Sequence, residues 1–316
     1  MKYSFVGFDS GFNHHDNFMC KFLKNDEYTN NFQELDVLFI GSLLFNHGYE
    51  SINSVKHTKC IKIMYITEPL EFQNEYCTGK IYRENVIDIF FGCVENNGTN
   101  SFKYPLWYDM RGSSLFHENV FIFENLNNYV NDCETVLNKR YSALVNNHDV
   151  GNTRLPIYNK LKDFGLIECP GKLLNNCSNE EINSLTNWSC LSNSDYFKLF
   201  KFVICPENFP VTIPGYITEK LANACFGGAI PIYYGFFGEV EEKIFNKKRI
   251  LFYNPFDEES MNLVKTQVEF LLNNPNEFIN FYKQPVFNET AYETVKTFEV
   301  NMYNMMKSVY KKLAAK

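Results

Sequence analysis

"FKFVICPEN" (200–208) and "GYITEKLANACFGGAIPIYYG" (215–235) lie close together in the chain, and their reading decides the fold. The run 200–204 is apolar apart from Lys201, at a length that suits a buried strand. Glu219 and Lys220 open a helical segment that ends at Gly227-Gly228, and Ile230–Tyr233 is a second short apolar strand. Strand, helix and strand in this order predict a unit of parallel sheet. In such a unit the helix N-terminus points to the carboxyl end of the preceding strand, where anions bind. Lys220 supplies a point charge suited to phosphate oxygens, and the Glu219 carboxylate can accept hydrogen bonds from ribose hydroxyls. On these residues alone a second reading stays open: a Glu favoured by the helix dipole beside a solvated Lys.

The same rhythm extends in both directions. Upstream, "DVLFIG" (36–41), "IKIMYI" (61–66) and "IDIFFG" (87–92) are apolar runs of strand length separated by polar, Asn-rich stretches. "RYSALVN" (140–146) is a further strand, and Leu155, Leu161 and Phe164 carry helical spacing over 154–165. "ILFYN" (250–254) closes the strand set, and helices are predicted near 259–273, 275–283 and 289–313. The polar stretch 123–138 reads as a linker. The expectation is therefore an α/β protein of two Rossmann-like domains, 1–135 and 136–316, facing across a cleft. No internal repeat is present.

Composition limits the function classes. The 316 residues carry 30 Lys and Arg against 37 Asp and Glu, a net charge of −7, which argues against a nucleic-acid partner. A small anionic ligand held by a few local cations is compatible with that balance. The first twenty residues lack the apolar core of a signal peptide, and no stretch is long and apolar enough to span a bilayer. Ten cysteines without a C-x-x-C pair read as thiols of a cytoplasmic protein. His14, His15 and Asp16 lack further ligands at metal-site spacing, and no D-x-D occurs, so no metal site is expected. The basic, amphipathic tail "MMKSVYKKLAAK" reads as a packed terminal helix, with peripheral contact to an anionic membrane as the weaker alternative.

The two opening segments together resemble the signature of the α-1,3/1,4-fucosyltransferase family (glycosyltransferase family 10). Lys201-Phe202, Glu207-Asn208, Tyr216 through Leu221 and Ile230-Pro231-Ile232 to Gly235 match it in order. "NTRLPIYNKLKDFG" (152–165) resembles the family's segment in which an Arg opens a helix. "KIMYITEPLEF" (62–72) resembles the strand followed by the family's catalytic Glu, and "FKYPLWY" (102–108) its next landmark. Two departures stand out: Pro206 replaces the family Phe, and the loop 209–215 carries two prolines and is longer.

The resemblance implies a GT-B fold and inverting transfer of L-fucose from GDP-β-L-fucose to a glycan hydroxyl, with α-1,3 the leading linkage. It assigns Glu68 as the catalytic base, with Glu71 as fallback, and Arg154 and Lys220 as cations for the diphosphate. Glu219 would hold ribose, and Glu207, Asn208 and Tyr216 would shape the guanine and fucose surroundings. The partners implied are GDP-fucose and an oligosaccharide acceptor, with no cofactor or metal required. Two alternatives remain open at this point: a transferase of another nucleotide sugar on the same fold, and a non-catalytic glycan-binding descendant.

Overall fold

The computed structural model describes residues 1–8, 12–41, 57–67, 86–108, 133–145, 147–178, 190–209 and 215–315. The chain divides into two compact units, Met1–Asp109 with Val295–Lys316, and Met110–Thr294.

The first unit is built on β1 (Lys2–Val6), β2 (Glu27–Tyr28), β3 (Val37–Gly41), β4 (Ile61–Ile66), β5 (Ile89–Gly92) and β6 (Ser101–Lys103). They form one parallel sheet in the order β2-β1-β3-β4-β5-β6. Every residue of β3 and β4 is buried, Lys62 included, which explains why these strands read as mainly apolar runs rather than alternating ones. One face of the sheet is a core of Leu38, Ile40, Met64 and Ile66.

The second unit begins with α1 (Cys133–Leu137), β7 (Arg140–Leu144), α2 (Leu155–Leu161) and β8 (Ile167–Glu168). It continues through α3 (Cys190–Phe197), β9 (Phe200–Ile204), α4 (Glu219–Phe226), β10 (Ile230–Tyr233), α5 (Glu239–Ile244) and β11 (Leu251–Phe252). Its sheet is also parallel, in the order β11-β10-β9-β7-β8. The chain leaves β7 toward the β8 edge and leaves β9 toward β10. β7 and β9 therefore flank the position where strand order reverses, and in open α/β sheets ligands bind beyond the carboxyl ends of such a pair. Helices α6 (Glu258–Asn273) and α7 (Pro275–Tyr282) cover the sheet, burying Val264, Val268 and Phe278 against Phe202, Ile204 and Ile232.

The last helix, α8 (Ala291–Ala314), buries Phe298, Met302, Met305 and Val309 on one stripe. Asn301 on the same stripe donates to the Lys103 carbonyl (3.0 Å), and Tyr108 donates to Glu299 (3.2 Å). Two expectations change here. Residues 295–316 group with the first unit, whereas the sequence reading kept the whole of 136–316 together. A helix repeat identifies an apolar face but not what covers it. The expected linker 123–138 contains helix α1, and its earlier part lies outside the described residues. Among the described residues no helix is long and apolar enough to cross a membrane, and the apolar face of the tail is used within the protein.

Candidate active site

Beyond the carboxyl end of β9 the chain reaches Glu207, whose side chain is wholly buried. An isolated carboxylate at that depth is unfavourable unless donors and a cation surround it. Here Oε1 accepts from the Thr218 backbone N–H (2.9 Å) and the Tyr233 hydroxyl (3.0 Å). Oε2 accepts from the Thr218 hydroxyl at 2.6 Å and lies 3.5 Å from Lys220 Nζ. Thr218 is the N-cap of α4 in extended conformation, yet its hydroxyl does not cap the helix. Instead it donates to Glu207 and accepts from Lys220 Nζ at 2.8 Å. Lys220 is thus fixed by two partners, with Glu219 Oε1 3.6 Å away on its other side. Of the Glu219-Lys220 pair, Glu219 is the more accessible, with 22% of its side chain exposed against 8%.

The loop after β7 completes the arrangement. Asp149 accepts from the backbone N–H groups of Arg154 (2.8 Å) and Leu155 (3.0 Å), serving the start of α2 from five residues upstream. Arg154 is 1% exposed; its Nε donates to the Val145 carbonyl (2.7 Å) and its Nη2 to Asn208 Oδ1 (2.9 Å). Thr153 Oγ1 donates to the Glu207 carbonyl (2.9 Å), and the Tyr253 hydroxyl donates to the Thr153 carbonyl (2.9 Å). A Cβ on Gly151 would lie 2.1 Å from the Asn208 carbonyl oxygen, so only glycine lets this loop approach so closely. Burial lowers the pKa of the Arg154 guanidinium, and Tyr253, Asp149, Glu207 and Tyr216 oppose that shift. Arginine remains charged under such conditions.

The residues expected from sequence therefore fall into different roles. Arg154, Glu207, Asn208, Glu219 and Lys220 join one hydrogen-bonded and ionic network at the reversal point of the second sheet. Tyr216 is buried beside it, within electrostatic reach of Arg154. Glu207 contacts Thr218 and Lys220, and Asn208 contacts Arg154, so both brace the residues around them. Glu68 and its fallback Glu71 lie outside the described residues; the strand preceding them, β4, is described to Thr67. Asp149, Thr153, Thr218 and Tyr233 were not singled out from sequence. The signal for Asp149 was present, since an Asp shortly before a Pro-containing helix start is a capping pattern.

No family model matches the chain. Its sequence is 25% identical over 209 residues to a protein of Acanthamoeba polyphaga mimivirus named "Putative fucosyltransferase R654". That match covers 63% of this chain, and the chain spans about a third (32%) of the length of that relative. Among solved structures, an α1,3-fucosyltransferase crystal structure is similar over 95% of this chain and 89% of its own, with a TM-score of 0.66 at 18% identity. The α1,3-fucosyltransferase structure with GDP-fucose gives a TM-score of 0.63 at 17% identity over the same shares. HepE of Anabaena, in complex with UDP and glucose, is similar over 98% of this chain and 100% of its own, with a TM-score of 0.52 at 8% identity. The protein has the two-unit α/β fold of GT-B glycosyltransferases, and it is to fucosyltransferases that both its sequence and its fold are similar.

Proposed function

We propose that the protein transfers L-fucose from GDP-β-L-fucose to a glycan hydroxyl, with inversion, in α-1,3 linkage and without a metal. One observation carries this reading: Lys220 and Arg154 are held as buried cations by one network where the strand order of the second sheet reverses. Two cations beside a helix N-terminus suit a diphosphate, and they offset the charge that develops on GDP as the glycosidic bond breaks. Glu219, the more accessible carboxylate of the pair, is assigned to the ribose hydroxyls. Tyr216 lies with this group near the nucleotide.

Glu68 is assigned as the base that takes the proton of the acceptor hydroxyl as it attacks from the face opposite the departing GDP. A carboxylate plays the same part toward water in inverting glycosidases. The cysteines described are all free thiols, which supports a reducing, cytoplasmic setting.

The test is transfer of labelled fucose from GDP-fucose to a panel of glycan acceptors, with EDTA in a parallel series. Calorimetry with GDP-fucose, GDP-mannose and UDP-glucose accompanies it. Transfer that survives EDTA, together with selective binding of GDP-fucose, is the expected result. Selective binding of another nucleotide sugar would overturn the donor assignment. An absolute divalent-ion requirement would overturn metal independence.

A further inference from the structure

Between edge strand β11 and helices α6 and α7 lies an open cavity of about 490 Å³, a volume ordinary for small-ligand sites. None of the residues assigned to the donor site lines it. Its base is Leu251 of β11 and Leu271 of α6, both anchored in the core of the second unit. Contacts outside the cavity hold its walls. Asn274 donates from its side chain to the Phe270 carbonyl (2.7 Å), and its own carbonyl accepts from the Phe278 N–H (2.9 Å), which ties α6 to α7. Lys248 sits in the turn Lys247–Arg249, capped at its start by Asn246 (3.1 Å). Arg249 ends that turn and donates to the Gly228 and Ala229 carbonyls (3.1 Å each).

The lining is chemically mixed. Phe270 and Phe281 supply aromatic rings, Phe270 with 52% of its surface exposed and Phe281 packed on the core. Gln267, Asn280 and Gln284 supply carboxamides, each able to donate and to accept. Lys248 and Glu277 add one charge of each sign, so the lining is neutral overall. Among the described residues, none of these five polar side chains has a hydrogen-bond or ion-pair partner. Rigid walls with free polar tips are what a preorganised binding site requires.

We propose that this cavity is a carbohydrate site, one that binds a neutral oligosaccharide separately from the donor site. A pyranose ring presents an apolar face of C–H groups, which suits an aromatic ring, and an edge of hydroxyls. Each hydroxyl both donates and accepts, and a carboxamide answers it in both senses. A phosphorylated or sulfated ligand is disfavoured, because Glu277 offsets the single cation. An acyl chain would cover five polar side chains without giving them partners. The site itself stands apart from the fucosyl-transfer reading, and identifying its glycan with the acceptor rests on that reading. The cavity would then retain a long or branched acceptor through sugars other than the one that reacts.

The experiment is saturation-transfer NMR on the full chain with neutral, sialylated and sulfated oligosaccharides, in the absence of nucleotide. It compares the wild type with Phe270→Ala, the double variant Gln267→Ala and Asn280→Ala, Lys248→Ala, and Lys220→Ala. The wild type should bind neutral oligosaccharides, and Phe270→Ala and the double variant should each weaken that binding about tenfold or more. Both cavity variants should melt like wild type, because these side chains are exposed. Lys248→Ala and Lys220→Ala should bind the neutral glycans as wild type does. Failure of the wild type to bind any neutral oligosaccharide overturns the inference. So does equal binding by the wild type and both cavity variants, which would put the glycan elsewhere on the protein. Selective binding of sulfated glycans that Lys248→Ala abolishes overturns the neutral class of ligand. If glycan binding depends on Phe270 while GDP-fucose does not bind at all, the fucosyl-transfer reading falls and the carbohydrate site stands.

Discussion

Glu207 and Glu219 are the same residue type twelve positions apart, and their surroundings give them opposite tasks. Removing the Glu207 carboxylate takes from buried Lys220 one of its two carboxylate neighbours and takes from Thr218 and Tyr233 the acceptor that they share. Loss of one partner from a buried pair typically costs about 3–5 kcal/mol. Glu207→Ala should therefore lose stability by that order in urea unfolding, and GDP affinity should fall with it. Glu219→Ala should cost less stability than Glu207→Ala, because its side chain is 22% exposed, while GDP-fucose affinity falls. Equal destabilisation by both would contradict the division between positioning and contact. Glu68→Gln provides the third comparison. Turnover should drop about 10²–10⁴-fold, the usual contribution of a general base, with calorimetric GDP affinity near wild type. Near wild-type turnover would move the assignment to Glu71.

At the scale of elements, the site depends on how closely the β7–α2 loop approaches the end of β9. Gly151→Ala places a methyl group where the Asn208 carbonyl oxygen sits, so one of the two backbone segments must move. Arg154 Nη2 bonds Asn208, and Thr153 bonds Glu207, so that movement reaches both cation supports at once. The expected outcome is a loss of GDP affinity of tenfold or more, together with a lower melting temperature. A variant that binds GDP like wild type would show that the loop adjusts without disturbing the site. Much at this scale was legible in the sequence. β3 and β10 are apolar throughout, and β4 and β9 are apolar apart from Lys62 and Lys201, because these strands are buried in their sheets, and the Glu219-Lys220 pair marks a helix start by its charges. The division of labour within the site was not legible. Burial decides whether a Glu binds a ligand or braces a lysine, and burial depends on residues distant in sequence, such as Tyr233 for Glu207.

For the whole molecule, α8 is the element whose destination the sequence left open. Its stripe of Phe298, Met302, Met305 and Val309 was readable as apolar, but nothing in the spacing specified which sheet it would cover. Phe298 packs edge-on against Trp107 and Tyr108 of the first unit. Phe298→Ala should therefore destabilise by about 3–5 kcal/mol, the usual cost of deleting a buried aromatic ring, and the effect should be confined to the first unit. Hydrogen exchange should show protection lost in β3 to β5 and retained in β9 and β10, with GDP affinity near wild type. Protection lost equally in both sheets would show that the two units unfold as one.

The return of residues 295–316 to the first unit makes the second an insertion within it, which sets an order of events on the ribosome. The strands of the first sheet are synthesised before Asp109, but the helix that covers Trp107 and Tyr108 emerges only after the whole of 110–294 has been made. At about 5–20 residues per second, that interval is roughly 10–40 s. The second unit can complete its core during this time. The first must wait for the helix that covers Trp107 and Tyr108, so residues 1–109, the earliest to be synthesised, are expected to finish folding last.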